Sequence, residues 1–238
     1  MTDSSGVMVI AGLEDNLPTG LTGEMLGLAR RLSVGLGGPV SAVAFSNGPD
    51  SLGQALISQG ADRAILVEGK AIEPYQADAW LPDLVKLVQD HAPMVVLIGH
   101  TVIGMDLAPR LAFRFDTAVA MGCEDVAVDG GKVLLTRACY GGKAMEQMSF
   151  ATTPFIATVK GRTQAPLPPD TTRKGDLTRA PSSVTDADIR TKILGQDRAT
   201  EEGIRLENAK VVVAGGGGLG GPEGFEAVAQ LASILGGA

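Results

Sequence analysis

Short aliphatic runs alternate with helical patterns through the first half of this 238-residue chain. Val7–Ala11 reads as a strand. Thr22–Leu36 reads as a helix, with Met25, Leu28, Ala29 and Leu32 recurring at i, i+3, i+4, i+7. Gly37, Gly38 and Pro39 announce a second strand, Val40–Phe45. Ser51 is placed to cap a short helix ending at Gln59, with Gly60 in the position past the helix end. Arg63–Val67 is a third strand. Residues 75–91 give the clearest helix: Trp80, Leu84, Leu87 and Val88 form its stripe, and Asp83, Lys86 and Asp90 point away. Pro82 falls near its first turn or breaks the segment just before it. Met94–Ile98, apolar throughout, predicts a central parallel strand covered on both faces. Met105–Phe115 is a further helix, with Asp106 near its start.

The texture changes near Ala118. Cys123–Val128, Lys132–Cys139, Ala144–Phe150 and Phe155–Val159 read as strands separated by glycine and proline turns. Asp129-Gly130-Gly131 is a hairpin signal. The expected fold is α/β: a Rossmann-like parallel βαβ core with an antiparallel extension, over residues 1–161. Residues 162–203, rich in Pro, Thr, Asp and Arg, read as a linker. In 204–238, K-V-V-V-A-G-G-G-G-L-G-G predicts a strand at Lys210–Val213 and a glycine loop, then a helix from about Gly224 to Leu235. Strand, glycine loop and helix are how a dinucleotide-binding unit opens, because glycines admit a pyrophosphate to free N–H groups at a helix N-terminus. One such step cannot bury both faces of its strand. The expectation is an incomplete unit, finished by a partner, cut short, or decayed.

Composition narrows the function. Apolar residues make up 45% of the chain but aromatics only 4%, so aliphatic side chains build the core. A formal charge of −7 argues against a nucleic-acid surface. No apolar run approaches the ~18 residues of a membrane span, and no targeting segment is visible, so no membrane insertion and a cytoplasmic location are expected. The two cysteines, Cys123 and Cys139, read as small strand hydrophobes in a reducing setting.

Catalytic machinery is sparse: no catalytic side chain and no metal ligand set is identified. His91 suits a helix C-terminus. His100 follows the central strand, at the end where α/β sheets bind ligands, yet has no visible partner. Lys143 after Gly141-Gly142 evokes a phosphate loop but leads into a strand. Gly99–Arg110 is either a capped turn or an anion-binding loop, and Asp106 counts against the anion. Gly215, Gly216, Gly217, Gly218 and Leu219 are the candidate cofactor-binding residues.

Several stretches resemble the alpha subunit of electron transfer flavoprotein: G-A-D-R-A-I-L-V at 60–67, V-V-L-I-G-H-T-V-I-G-M-D-L-A-P-R-L-A at 95–112, L-T-R-A-C-Y-G-G-K-A-M at 135–145 and V-V-V-A-G-G-G-G-L-G-G-P-E-G-F at 211–225. The resemblance implies a domain that packs on a beta subunit, followed by the start of an FAD domain. It implies electron transfer through FAD from acyl-CoA-type or other dehydrogenases to a quinone or other acceptor, with AMP or FAD in the beta subunit. The chain departs from the family at Gly217, which stands where an arginine contacts the flavin, and in ending before the segments that wrap it. At 159–161, Val159-Lys160-Gly161 replaces V-R-P-G. Two other readings stand beside this one: a non-redox assembly subunit that has lost its flavin site, and a small adenine-nucleotide module using the 99–106 loop.

Overall fold

The computed structural model describes residues 4–195, 206 and 209–238. The chain divides into two compact units, Met1–Lys192 and Ile193–Ala238. In the first, the elements run β1 (Val7–Ile10), β2 (Leu13–Glu14), β3 (Leu17–Pro18), α1 (Gly20–Leu36), β4 (Val40–Phe45), α2 (Asp50–Ser58), β5 (Arg63–Glu68) and α3 (Ala77–His91). They continue with β6 (Val95–Gly99), α4 (Val102–Arg114), β7 (Val119–Asp129), β8 (Lys132–Cys139), β9 (Ala144–Met148), β10 (Phe155–Val159) and β11 (Asp176–Pro181). Nine strands form one sheet in the order β11-β5-β4-β1-β6-β10-β7-β8-β9, and β2–β3 is a two-stranded ribbon beside it.

Strands β11 through β7 in that order pair parallel, while β7–β8 and β8–β9 pair antiparallel. The Rossmann-like core with an antiparallel extension is therefore present. Side-chain alternation splits the core into two layers. Val7 and Val9 join Met25, Leu28 and Leu56 under α1 and α2. Met8 and Ile10 join Trp80, Leu84 and Leu111 under α3 and α4. Phe45 and Trp80 stack with centroids 4.2 Å apart, and the Trp80 indole N–H donates to the Ile72 carbonyl at 2.7 Å. β6 is buried at every position, as its unbroken apolar run predicts.

Residues 162–192, expected to be linker, instead girdle this unit. From β10 the chain crosses α1, where any Cβ on Gly27 would collide with the Ala165 carbonyl. It then adds β11 parallel to β5 at the far edge of the sheet. Beyond β11, Ser182 and Ser183 clasp Asp83. The Asp83 carboxylate accepts from Ser182 Oγ (2.5 Å), Ser183 N (3.0 Å) and Ser183 Oγ (2.7 Å). Asp83 is thus buried rather than solvated, because the returning segment covers it and supplies the bonds that a buried carboxylate requires. Three smaller expectations also shift. Pro49, not Ser51, is the N-cap of α2. α4 begins at Val102, capped by Thr101, whose side chain accepts from the Gly104 N–H, so Asp106 sits a turn inside. Pro82 lies within α3, which continues through it.

In the second unit, the glycine loop leads through a 3-10 turn (Gly217–Leu219) into α5 (Pro222–Ile234). Lys210–Val213 is not a strand. Val213 N donates to Ala238 O and Ala238 N to Val211 O, and no ladder extends from these bonds. An aliphatic run becomes a strand only beside another strand, and the described residues of this unit offer none.

Candidate functional site

The glycine loop holds the candidate cofactor residues. Gly215 is pinned, since a Cβ there would meet Leu219, Phe225 and Val228. Leu219 therefore turns inward as a plug. Gly216 and Gly217 line an open hollow with Gly221, Pro222 and Phe225, while Gly218 lies outside it. The chain then reverses through Gly220 (φ 78°) and Gly221 (φ 159°), conformations that favour glycine. The N–H groups of Gly216, Gly217, Gly218 and Glu223 have no acceptor among the described residues. Together with the dipole of α5 they suit an anionic group.

Two features limit that cradle. Pro222 at the first helical position has no N–H to give, and Glu223 brings a carboxylate into the first turn. The five predicted residues thus separate into a lining pair (Gly216, Gly217), a pinned base (Gly215), a plug (Leu219) and an outlying glycine. Pro222 and Phe225 complete the lining. The proline's place at the helix start was readable in the sequence, but the turn that brings Phe225 to Gly216 was not.

A second cluster sits at the carboxyl ends of β6, β7 and β10. Thr158, fully buried, accepts from the Gly122 N–H at 2.8 Å and lies 2.8 Å from His100 Nδ1. The hydroxyl and Nδ1 share one hydrogen bond whose direction follows the ring tautomer, and it fixes the orientation of the imidazole. Gly122, at φ 69°, lets the ring lie against the backbone. Burial, and then the nearby Lys160 charge, hold the His100 pKa below its ordinary 6.5. Lys160 pairs with Glu124 at 2.9 Å. His100 therefore has the partner that its sequence neighbourhood hid.

The crevice between β1 and β6, where strand order reverses, is the usual ligand position in such sheets. Here the chain's own side chains fill it. Leu21 lies against Gly99, leaving no room for a Cβ. Thr22 Oγ1 accepts from Gly12 N (2.9 Å) and donates to Gly12 O (2.8 Å). Within α4, Asp106 accepts from Tyr75 Oη (2.9 Å) and pairs with Arg110 (2.8 Å). The Thr101 cap on the Gly104 N–H and the Asp106–Arg110 pair fit the capped-turn alternative. Burial raises the Cys123 thiol to about 11, so it stays protonated.

Residues 7–185 match the electron transfer flavoprotein domain family. The chain is 33% identical to the electron transfer flavoprotein subunit alpha of Thermoanaerobacterium thermosaccharolyticum, over all of its own length and 72% of the relative's. It is 34% identical to the subunit alpha of Bacillus subtilis, over 98% of this chain and 70% of that one. It is 31% identical to protein FixB of Azotobacter vinelandii, over 90% and 61%. The chain belongs to the electron transfer flavoprotein family. The electron transfer flavoprotein domain takes in β11 and the Ser182–Ser183 clasp, so the girdle is part of the family unit. No helix among its described residues is long and apolar enough to cross a membrane.

Proposed function

We propose that this chain is the alpha-type subunit of an electron transfer flavoprotein, working with a beta-type subunit and FAD to carry electrons from dehydrogenases to an acceptor. The observation that carries this reading is the family match over the first unit together with similarity to subunits named alpha across the whole chain. The glycine loop supports it. Its N–H groups, without an acceptor among the described residues, and the dipole of α5 fit one edge of a dinucleotide's pyrophosphate. FAD, when bound, supplies the redox chemistry. The protein's contribution is to hold and orient, through backbone N–H donors at Gly216, Gly217 and Glu223. No acid, base or nucleophile is required of it. Donors of the acyl-CoA dehydrogenase type and a quinone-type acceptor belong to this proposal, as does AMP or FAD in the beta subunit and a cytoplasmic setting.

Gly217 favours one further reading, a subunit that assembles with the beta-type partner without a flavin of its own. Glycine gives a phosphate or flavin carbonyl only a backbone donor, where an arginine fork gives two charge-assisted ones. Co-purification with a beta-type subunit tests both. A yellow complex, bleached by a reducing dehydrogenase, supports electron transfer. A colourless complex supports assembly alone, and the failure of any complex to form overturns both readings.

A further inference from the structure

We propose that His100 is a proton-operated latch at the root of the segment that crosses α1: on taking up a proton its ring repels Lys160, and residues 160–164 come loose from β7. That root is fastened by several bonds. Lys160 N donates to the Cys123 carbonyl (2.9 Å), and Lys160 Nζ pairs with Glu124 (2.9 Å). Gln164 Nε2 donates to the Glu124 carbonyl (2.7 Å), and the Arg162 N–H donates to Glu24 of α1 (2.7 Å).

The ring sits where it can disturb them. A Cβ on Gly122 would lie 3.4 Å from His100 Cε1 and Nε2 and 3.5 Å from Lys160 Cε. The imidazole and the lysine stem therefore meet over one bare point of β7. On its other side the ring is held by Thr158 Oγ1, 2.8 Å from Nδ1, which also takes the Gly122 N–H at 2.8 Å. A neutral ring can meet this hydroxyl as donor or as acceptor. An imidazolium has N–H at both nitrogens, so Thr158 must accept from both sides. Its own O–H is then left to the Met121 sulfur at 3.9 Å, a weak acceptor.

Protonation also sets two cations beside one carboxylate. Of the elements about the ring, β10 brings Lys160 and β7 brings Glu124, which Lys160 already holds. The first charge on α4 is Asp106, engaged by Arg110 and Tyr75. Glu24 of α1 is turned to the Arg162 N–H. Burial, and then the Lys160 charge, disfavour the imidazolium while the root is fastened. A proton thus binds more tightly once the root has opened, and by linkage its uptake favours opening. The fastened arrangement is at full strength above pH 6.5 and weakens as pH falls below it.

The test is amide exchange in the full chain, followed residue by residue by nuclear magnetic resonance at about pH 7.5 and about pH 5.5, with each rate divided by its intrinsic value. Protection of the Lys160 and Arg162 amides is expected to fall about three- to tenfold at the lower pH, the span that linkage allows one unit below 6.5. It is also expected to stay well under that of β6, which marks a local opening. His100→Asn is expected to abolish the fall, and His91→Asn, at the chain's other histidine, to preserve it. Thermal melts check that both variants fold. Lys160→Gln is expected to raise the His100 midpoint by about half a unit. Equal protection of the wild-type root at both pH values overturns the latch, as do root amides that open only together with β6. A fall that persists in His100→Asn assigns the effect to carboxylates and overturns the role of His100. A midpoint that Lys160→Gln leaves unmoved overturns the repulsion.

Discussion

His100 shows how a single residue acquires its properties from chain segments remote in sequence. The ring is oriented by Thr158, 58 residues away, through a hydroxyl that is itself fixed by the Gly122 N–H. Because the folded pKa lies below the unfolded one, the neutral ring is favoured in the native state. The stability this confers is complete above pH 6.5 and is lost as pH falls from 6.5 toward the native midpoint, where only the unfolded chain binds the proton. A nuclear magnetic resonance titration is expected to place the His100 midpoint below 6.5, and His100→Asn is expected to flatten the stability profile there. Asp62 acts over a lower window. Burial pushes its carboxyl up, but hydrogen bonds from Arg30, the Val40 N–H and Arg173 outweigh that and hold it below 3.8. Its contribution is complete above the unfolded value and is lost only as pH falls through the native one. Asp83 is the residue on which the sequence pattern misled. It stands beside the stripe of α3 and reads as solvated until Ser182 and Ser183 are seen to return from a hundred residues away. Asp83→Ala removes three hydrogen bonds to one carboxylate, and a loss of about 2–4 kcal/mol is expected in urea unfolding.

Among elements, those held by their own pattern were legible and those held by a neighbour were not. β6 is apolar along its length and β4 is so but for Ser41, because both faces are covered, and such runs declare themselves. β11 did not: Asp-Leu-Thr-Arg-Ala-Pro has the charges and proline of an edge strand, and it resembles linker in composition. Lys210–Val213 failed in the opposite direction, with strand chemistry and no strand to pair with. The glycine loop could be found from composition, but its division into lining, base and plug depends on the turn. The crossing over α1 is testable through Gly27. Gly27→Val forces Ala165 away, and a destabilisation of about 1–3 kcal/mol is expected, with faster tryptic cleavage at Arg162, Arg173 and Lys174. At the loop, Gly217→Arg restores a charge-assisted donor. FAD affinity is expected to rise about tenfold by fluorescence titration, since such a bond contributes roughly 1.5–3 kcal/mol. An unchanged affinity would mean that position 217 does not face the flavin.

At the scale of the molecule, the two units differ in how much each buries. The first holds both hydrophobic layers. In the second, only Ala232 of α5 is buried, while Phe225, Leu231 and Ile234 are exposed. Amides of α5 are therefore expected to exchange with solvent within minutes in the isolated chain, and those of β6 only over hours or more. Deuterium uptake followed by peptide mass analysis reads both. Slow exchange in α5 of the monomer would show that this unit is stable without a partner.

The pairing of β11 with β5 also sets a schedule for synthesis. Asp176 pairs with Arg63, a separation of 113 residues, and no nearer segment occupies that edge. At about 5–20 residues per second, a ribosome takes on the order of 10 s to deliver β11 after β5 has emerged. Throughout that interval the nascent sheet presents an unpaired parallel edge flanked by Ile65 and Val67, and loop closure of that length is slow. The growing chain is thus most in need of chaperone shelter between the emergence of residues 68 and 181, an interval that closes only as the first unit nears its last residue.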